Sequence, residues 1–369
     1  MTMATTPLPI TRSRRTALII GVPLAVALIA LLIPVWARAA LQFAAFHNQV
    51  GYTVRLNAPV RDGQVRVSLG HGNMVFRTSP SAREISVVGR LSGPLARPTF
   101  SHPAKSAAGL DLNAACNAPF GNCNLNFTVT APAGLPVRLN DAFGNLTANH
   151  LPGPVSLTDN SGDIATSDLG GQIQLNDQFG NINASRLHGS VRVLNNSGDI
   201  NLLGATGPIQ LNDQFGNINS SHLDGSTRLV NNSGDINVSG ATGDTRLQDA
   251  FGNIYVTGLA AAKVVAANNS GDITLRFAAV PTQVNVTDSF GNVTLILPPG
   301  AVAYQVHTHD SFGSTHLSVA QSPTSAHVIR VTNNSGDITI ITQSSPPAPR
   351  APRVVHPVSP VSPAYPVRH

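Results

Sequence analysis

Asp, Asn and Ser recur through this chain at fixed distances from glycine, and any chemistry it performs would have to use them. Twelve of the eighteen acidic residues sit in two turn motifs. One is D-x-F-G-N, beginning at Asp141, Asp177, Asp213, Asp249 and Asp288, with a degenerate copy at Asp310. The other is N-N-S-G-D, beginning at Asn195, Asn231, Asn268 and Asn333, with a variant at Asp159. Oxygen donors so arranged could hold calcium, which takes 6–8 of them. The calcium β-roll repeat, however, has a nine-residue period with paired glycines, and this chain has neither. Glycoside cleavage needs two carboxyls of different environment ~5–10 Å apart. Many Asp pairs would meet that distance, so the pattern singles out none. Glu84 is the only glutamate, and neither a G-x-S-x-G elbow nor a G-x-x-x-x-G-K-[ST] loop occurs. A Ser-Gly-Asp that recurs five times reads as a turn, since one catalytic serine does not need five copies. We expect no catalysis, no cofactor and a structural role for the ladders.

Two other clusters could do chemistry. His307 and His309 share a strand face by period two, and Asp310 and His316 lie close in sequence. Nothing supplies a fixed fourth ligand, so these remain weak metal candidates. Cys116 and Cys123 bracket C-N-A-P-F-G-N-C. A metal site would want four ligands, and no His is near. Outside the cytoplasm a close pair reads as a small disulfide loop; two free thiols are the alternative.

The elements that must position these residues repeat. The motif glycines Gly144, Gly162, Gly180, Gly198, Gly216, Gly234 and Gly252 are spaced by 18, and Gly271, Gly291, Gly313 and Gly336 follow at 19, 20, 22 and 23. The two motifs alternate, so the true period is 36, and residues 172–207 match 208–243 at 27 of 36 positions. Around each motif, apolar and polar residues alternate, as in V-R-V-L before Asn195 and I-N-L-L after Asp199. That is the pattern of half-buried strands. Each unit should have a positive-φ glycine at its turn and a second glycine, such as Gly189, Gly207, Gly225 or Gly243, at its close. Strands this short bury an apolar face only by stacking copies, so an all-β solenoid of about 18 residues per rung is expected. Rungs ~4.8 Å apart would give eleven units a length of roughly 50 Å.

Alternation of the motifs has an electrostatic reason. The residue after the motif glycine reads Asn145, Asp163, Asn181, Asp199, Asn217, Asp235, Asn253, Asp272, Asn292. Stacked carboxylates ~4.8 Å apart would repel. An amide between them doubles the distance and can donate a hydrogen bond to each. Asp337 continues the series. Phe and Ser alternate just before glycine, so large rings should stack over small side chains.

The flanks set the address. Thr16–Ala37 is 22 residues without a charge, preceded by Arg12, Arg14 and Arg15. That suits a membrane span with residues 1–15 cytoplasmic and the rest outside. Ala37-Arg38-Ala39 could instead be a signal cleavage site, but the run exceeds the usual signal length, so an uncleaved anchor is the expectation. Residues 50–130 should cap the solenoid, with Val65–Ser68 and Gly72–Phe76 as one more unit and Ser92–Ala108 as a loop. Repeats occupy 131–343. Residues 344–369 hold eight Pro in 26, which suggests a disordered or polyproline-II tail. Residues 138–342 carry seven Arg and one Lys against fifteen Asp. An acidic repeat without basic–aromatic clusters argues against nucleic acid as a partner.

The repeated x-x-S-G-D-I and x-x-F-G-N-I turns, the V-x-L strands, and a Cys pair followed by N-L-N-F-T-V-T-A-P-A into Val137-Arg138-Leu139 resemble the bacterial putative-adhesin domain family of unknown function. The resemblance spans roughly Val50–Thr342. It implies a β-solenoid at the cell envelope with an adhesin-like role, and it brings no catalytic residues. The regular F-G-N alternation departs from a uniform S-G-D ladder, so no ligand is carried over. The expected function is a membrane-anchored, extracytoplasmic binder of an envelope or surface ligand, a glycan or a protein. The alternatives are a self-associating envelope scaffold and, more remotely, a carbohydrate-active enzyme.

Overall fold

The computed structural model describes residues 49–60, 63–94, 98–101, 110–116 and 124–343. The expected span at 16–37, the cytoplasmic segment 1–15, Cys123 and the Pro-rich tail lie outside those residues. Among the described residues every regular element is a β-strand, and no helix is long and apolar enough to cross a membrane.

Each repeat unit folds as two strand arms joined by the motif turn. Val137–Asp141 and Val155–Asp159 bury every second side chain. Val, Ile and Leu suit this pleat because their branched side chains fill the half-buried face. Successive first arms pair in parallel: Val155 lies between Val137 and Ile173, and Leu157 between Leu139 and Leu175. Second arms stack likewise, with Ile182 between Ile164 and Ile200. The register step is 18 residues, so the architecture is an all-β, parallel, nearly closed solenoid-like sheet. Inward columns such as Ile164, Ile182, Ile200, Ile218, Ile236, Ile254 and Ile273 are almost wholly excluded from solvent. Each such side chain is worth roughly 1.5–3 kcal/mol of burial.

At both ends the spatial order departs from chain order. The rung of Val65–Leu69 and Asn73–Ser79 lies directly beneath Val137–Asp141 and Leu146–Leu151. Beneath it in turn lie Leu110–Cys116 and Asn124–Pro132. Glu84–Pro94 then pairs antiparallel with Asn124–Pro132, and Gln49–Pro59 pairs antiparallel with Glu84–Pro94. The stretch expected as a loop at Ser92–Ala108 is partly strand. Residues 92–94 complete Glu84–Pro94, and Pro98–Ser101 pairs with Leu110–Cys116. Pairing with a neighbouring backbone outweighs its Pro content.

At the other end, Val328–Ser335 pairs with both Gln283–Phe290 and Gln305–Phe312. Ile338–Thr342 likewise lies between Val293–Leu297 and Thr315–Ser318. The last rung in sequence is therefore the last but one in space. Stacking in simple chain order, as the glycine spacing suggested, is corrected here.

Candidate binding face and its ladders

The turn glycines form one column. A Cβ on Gly162 would fall under 3.0 Å from the carbonyl of Gly144, and the same holds at Gly180, Gly198, Gly216, Gly234, Gly252, Gly271 and Gly291, each over its predecessor. Gly336 sits over Gly291, and Gly313 faces Gly336. The expected positive φ holds in the N-N-S-G-D turns, at 113° for Gly198 and 121° for Gly336. It does not hold at Gly180, Gly252, Gly291 or Gly313, whose backbone lies outside the left-handed range. There glycine is required by the close approach of the rung below, not by its conformation.

Beside this column runs the Asn/Asp ladder. Asn181 donates its backbone N–H and its Nδ2–H to Asp163 Oδ1, at 2.8 and 3.2 Å. Asp199 donates its N–H to Asn181 Oδ1 at 2.9 Å. The same pair of links recurs at Asn217 and Asp235, at Asn253 and Asp272, and on to Asp337. The amide between two carboxylates was expected to donate to both. It donates to one only, because every side chain leans the same way along the stack to accept the next backbone N–H.

A second column is buried, three residues before each glycine. Where it is Asn, the amide nitrogen is satisfied: Asn195 Nδ2 donates to the carbonyls of Gly180 and Gly198 at 3.1 and 2.9 Å, while its Oδ1 is buried without a partner. Asn268 and Asn333 make the same two bonds. At Asp213, Asp249 and Asp288 one oxygen accepts a neighbouring N–H, as from Gln214 to Asp213 at 2.8 Å. The other oxygen, Oδ2 of Asp213, Asp249 and Asp288, is buried without a partner. Desolvation pushes Asp213 up to about 7, against smaller lowering by the amides of Gln214 and Phe215. Burial similarly raises Asp141 and Asp177 to about 7 and Asp159, Asp249 and Asp288 to about 6. Neighbouring carboxylates add to the shift at Asp141 and Asp177, which flank Asp159.

The sequence reading missed a corner in the second arm. His150, Asp168, Arg186 and His222 all have φ between 51° and 59°. Gly204, Gly240 and Gly258 fill the same column, and they were the only signal available. Three of these strained residues bond to one another across rungs. Arg186 pairs bidentately with Asp168, with Nη2 to Oδ2 at 2.9 Å, and His150 Nε2 lies 3.2 Å from Asp168 Oδ2.

His307, His309 and His316 point outward on the terminal rung, and Asp310 is half-buried beside them. Among the described residues no group of three or more His, Cys, Asp or Glu side chains is arranged to hold a metal ion. Cys116 ends the strand Leu110–Cys116; its partner in the expected disulfide lies outside the described residues.

A concavity lies on the outer face of the second arms. It is a shallow open trough of about 670 Å³. Asn183, Asn201, Asn219 and Asn237 run along it, with Nδ2 of each of the last three donating to the preceding Oδ1 at 3.0–3.1 Å. Tyr255 continues that column beyond Asn237, and Leu203 stands in the parallel column of Ser185, Ser221 and Ser239. Tyr255 is 50% and Leu203 57% exposed. Each Asn in the ladder retains at least one N–H and one lone pair for an incoming group.

Residues 190–341 match the Toastrack DUF4097 family model. The adhesin-family resemblance read from the turns is met over this stretch, as a repeat domain of unknown function. The Toastrack stretch contains most of the trough and the inverted rungs at the far end. Two solved structures are similar to this chain. One is a "putative cell adhesion protein" from Clostridium sporogenes, 9% identical, covering 80% of this chain and 100% of that one, with a TM-score of 0.22. The other is a "putative adhesin" from Bacteroides fragilis, 17% identical, covering 80% and 98%, with a TM-score of 0.23. No curated protein matches the chain.

Proposed function

We propose that this chain is a non-catalytic, adhesin-like binder, held at the outer side of a bacterial membrane by its N-terminal apolar run. Its ligand is an extended surface molecule, a glycan, lying along the trough. The observation that supports this is the Asn183–Asn237 ladder with its exposed neighbours Leu203 and Tyr255. Regularly spaced amides offer donors and acceptors to a chain of hydroxyls, and Tyr255 offers a ring face to a sugar's apolar side. Many weak contacts along a rigid face suit a repetitive ligand.

The test is co-sedimentation of the full chain, in mild detergent, with washed bacterial envelopes at low and moderate salt. Saturable binding that survives salt and weakens roughly tenfold in Tyr255→Ala supports the reading. Binding lost with salt would assign the contact to the basic residues of 38–137 and the tail. No binding at either salt ends the envelope-ligand reading.

A further inference from the structure

The motif turns carry a row of exposed phenylalanines. Phe143, Phe179, Phe215, Phe251, Phe290 and Phe312 are each between 49% and 76% exposed. They occupy every second rung. Ser233 lies between Phe215 and Phe251, bridged to Phe251, and Ser270 bridges Phe251 and Phe290. Ser335 separates Phe290 from Phe312. The expected alternation of rings with small side chains holds, but each ring keeps about half or more of its surface in solvent. This row lies on the turn edge, distinct from the trough, and so does not rest on the reading of that face.

We propose that two copies of this chain pair side by side and antiparallel, the phenylalanines of each row filling the serine gaps of the other. Four observations carry this. Rings two rungs apart are ~9.6 Å apart, so a ring inserted between them lies ~4.8 Å from each, within the 4.5–7 Å range of favourable aromatic pairs. The chain already makes one such stack: His71, one rung below Phe143, packs on it with centroids 4.9 Å apart and planes 23° apart. Charge agrees with the same offset. Asn follows the glycine in five of the six phenylalanine rungs, Ser314 in the sixth, and Asp in serine rungs, so a one-rung shift sets carboxylates against uncharged side chains and not against each other. Area agrees as well. Six rings at about half exposure present roughly 600–700 Å² per copy, at ~200 Å² per ring, close to the ~800 Å² per partner of a stable interface. An antiparallel pair is isologous and closes on itself.

The experiment is sedimentation equilibrium of the full chain in density-matched detergent over a range of protein concentration. Wild type is expected to dimerise. Phe179→Ser/Phe215→Ser/Phe251→Ser places the residue of neighbouring rungs at each site, so folding should persist. Its dissociation constant should rise by about tenfold per ring, roughly a thousandfold in all. Ser197→Phe/Ser233→Phe adds apolar surface but fills the gaps, and should also abolish the dimer. Tighter or unlimited association of that variant would show indiscriminate stickiness and overturn the pairing. So would a wild type that stays monomeric at every concentration. Loss of envelope binding in the triple serine variant of a monomeric protein would reassign the row to a ligand.

Discussion

The backbone N–H of Asp337 donates to Asn292 Oδ1 at 3.0 Å across 45 residues of chain. Ser314, which belongs to the intervening motif, lies beyond Asp337 and donates both its N–H and its hydroxyl to Asp337 Oδ1. This inversion preserves the two-rung alternation. In chain order the ring-bearing turn of Asp288 is followed by another at Asp310. In space the N-N-S-G-D turn of Asn333 comes between them. Chain order would set Asn292 against Ser314 and leave Ser314 without the carboxylate that accepts its two donors.

Asp337 is therefore the clasp that holds the terminal rung. Asp337→Ala should accelerate hydrogen exchange at Thr315–Ser318, while Ile254–Leu259 keeps its protection. Asp337→Asn retains Oδ1 and should hold most of that protection. Exchange that rises evenly along the rod would contradict the local clasp. The bonds from Ser314 hold the Asp337 carboxyl below its ordinary value. Its contribution is thus present above the unfolded value and is lost as pH falls through the lower folded value.

The buried column responds to pH with the opposite sign. Its six carboxyls have folded values of about 6 to 7 against 3.8 for the free group. The native chain then binds more protons than the unfolded one between those limits. Their stabilising contribution is full below about pH 4, is lost as pH rises to about 7, and is level above. A protonated Oδ2 can donate as Asn195 Nδ2 does in the alternate rung. Asp213→Asn should match wild type near pH 5 and exceed it at pH 8 by about 1–3 kcal/mol, the cost of a buried unsatisfied group. Thermal midpoints from pH 4 to 9 decide this. A wild-type midpoint that climbs between pH 5 and 8 would mean the carboxyls are native as anions.

The outer ladder predicts a charge effect. Asn217→Asp would set three carboxylates in consecutive rungs, Asp199, residue 217 and Asp235, and remove the Nδ2 bond to Asp199. At ~4.8 Å and an effective dielectric near 20, each new pair repels by ~3 kcal/mol before relaxation. A net loss of about 1–3 kcal/mol in chemical denaturation is expected, shrinking in 1 M salt. Asp199→Asn keeps the acceptor and should be nearly neutral. Equal effects of the two substitutions would remove the electrostatic account of the alternation.

The rung, its period and the glycine column were legible because each is a matter of spacing. Val191, Val193, Ile200 and Leu202 announce two strand arms, and Gly180 to Gly198 announces the step. The order of the end rungs was not legible, since neither the degenerate copy at Asp310 nor the wider glycine spacing around it says that Gly336 pairs with Gly291. Nor was the state of the inner column. Asp213 and Asn195 read as interchangeable turn residues until their burial shows Asn195 Nδ2 donating to two carbonyls where Asp213 has a partnerless carboxyl oxygen. Phe179 and Phe215 were legible as rings alternating with serine, but their exposure was not. Their place on a turn, outside both arms, turns them to solvent. The trough needed three dimensions, because Asn183 and Tyr255 are 72 residues apart and meet only through four rungs of register.

Two glycine columns separate the two reasons for glycine. Gly198 has φ 113° and its Cβ position lies under 3.0 Å from the Gly180 carbonyl. That carbonyl is fixed by the ladder, so nothing can give without widening the stack. Gly204 has φ 79°, and the nearest atom to its Cβ position is Arg186 N at 4.0 Å. Gly204→Ala should cost only the left-handed penalty of about 1–2 kcal/mol, less a part regained from the unfolded chain. Gly204→Asn should cost less still, as His222, Asp168 and Arg186 already occupy that column. Gly198→Ala adds overpacking against backbone, for a total of roughly 3–5 kcal/mol. Denaturant midpoints of the three variants rank the effects. A Gly198→Ala cost no greater than that of Gly204→Ala would mean the rungs can part locally, and that conformation, not close approach, governs the turn column.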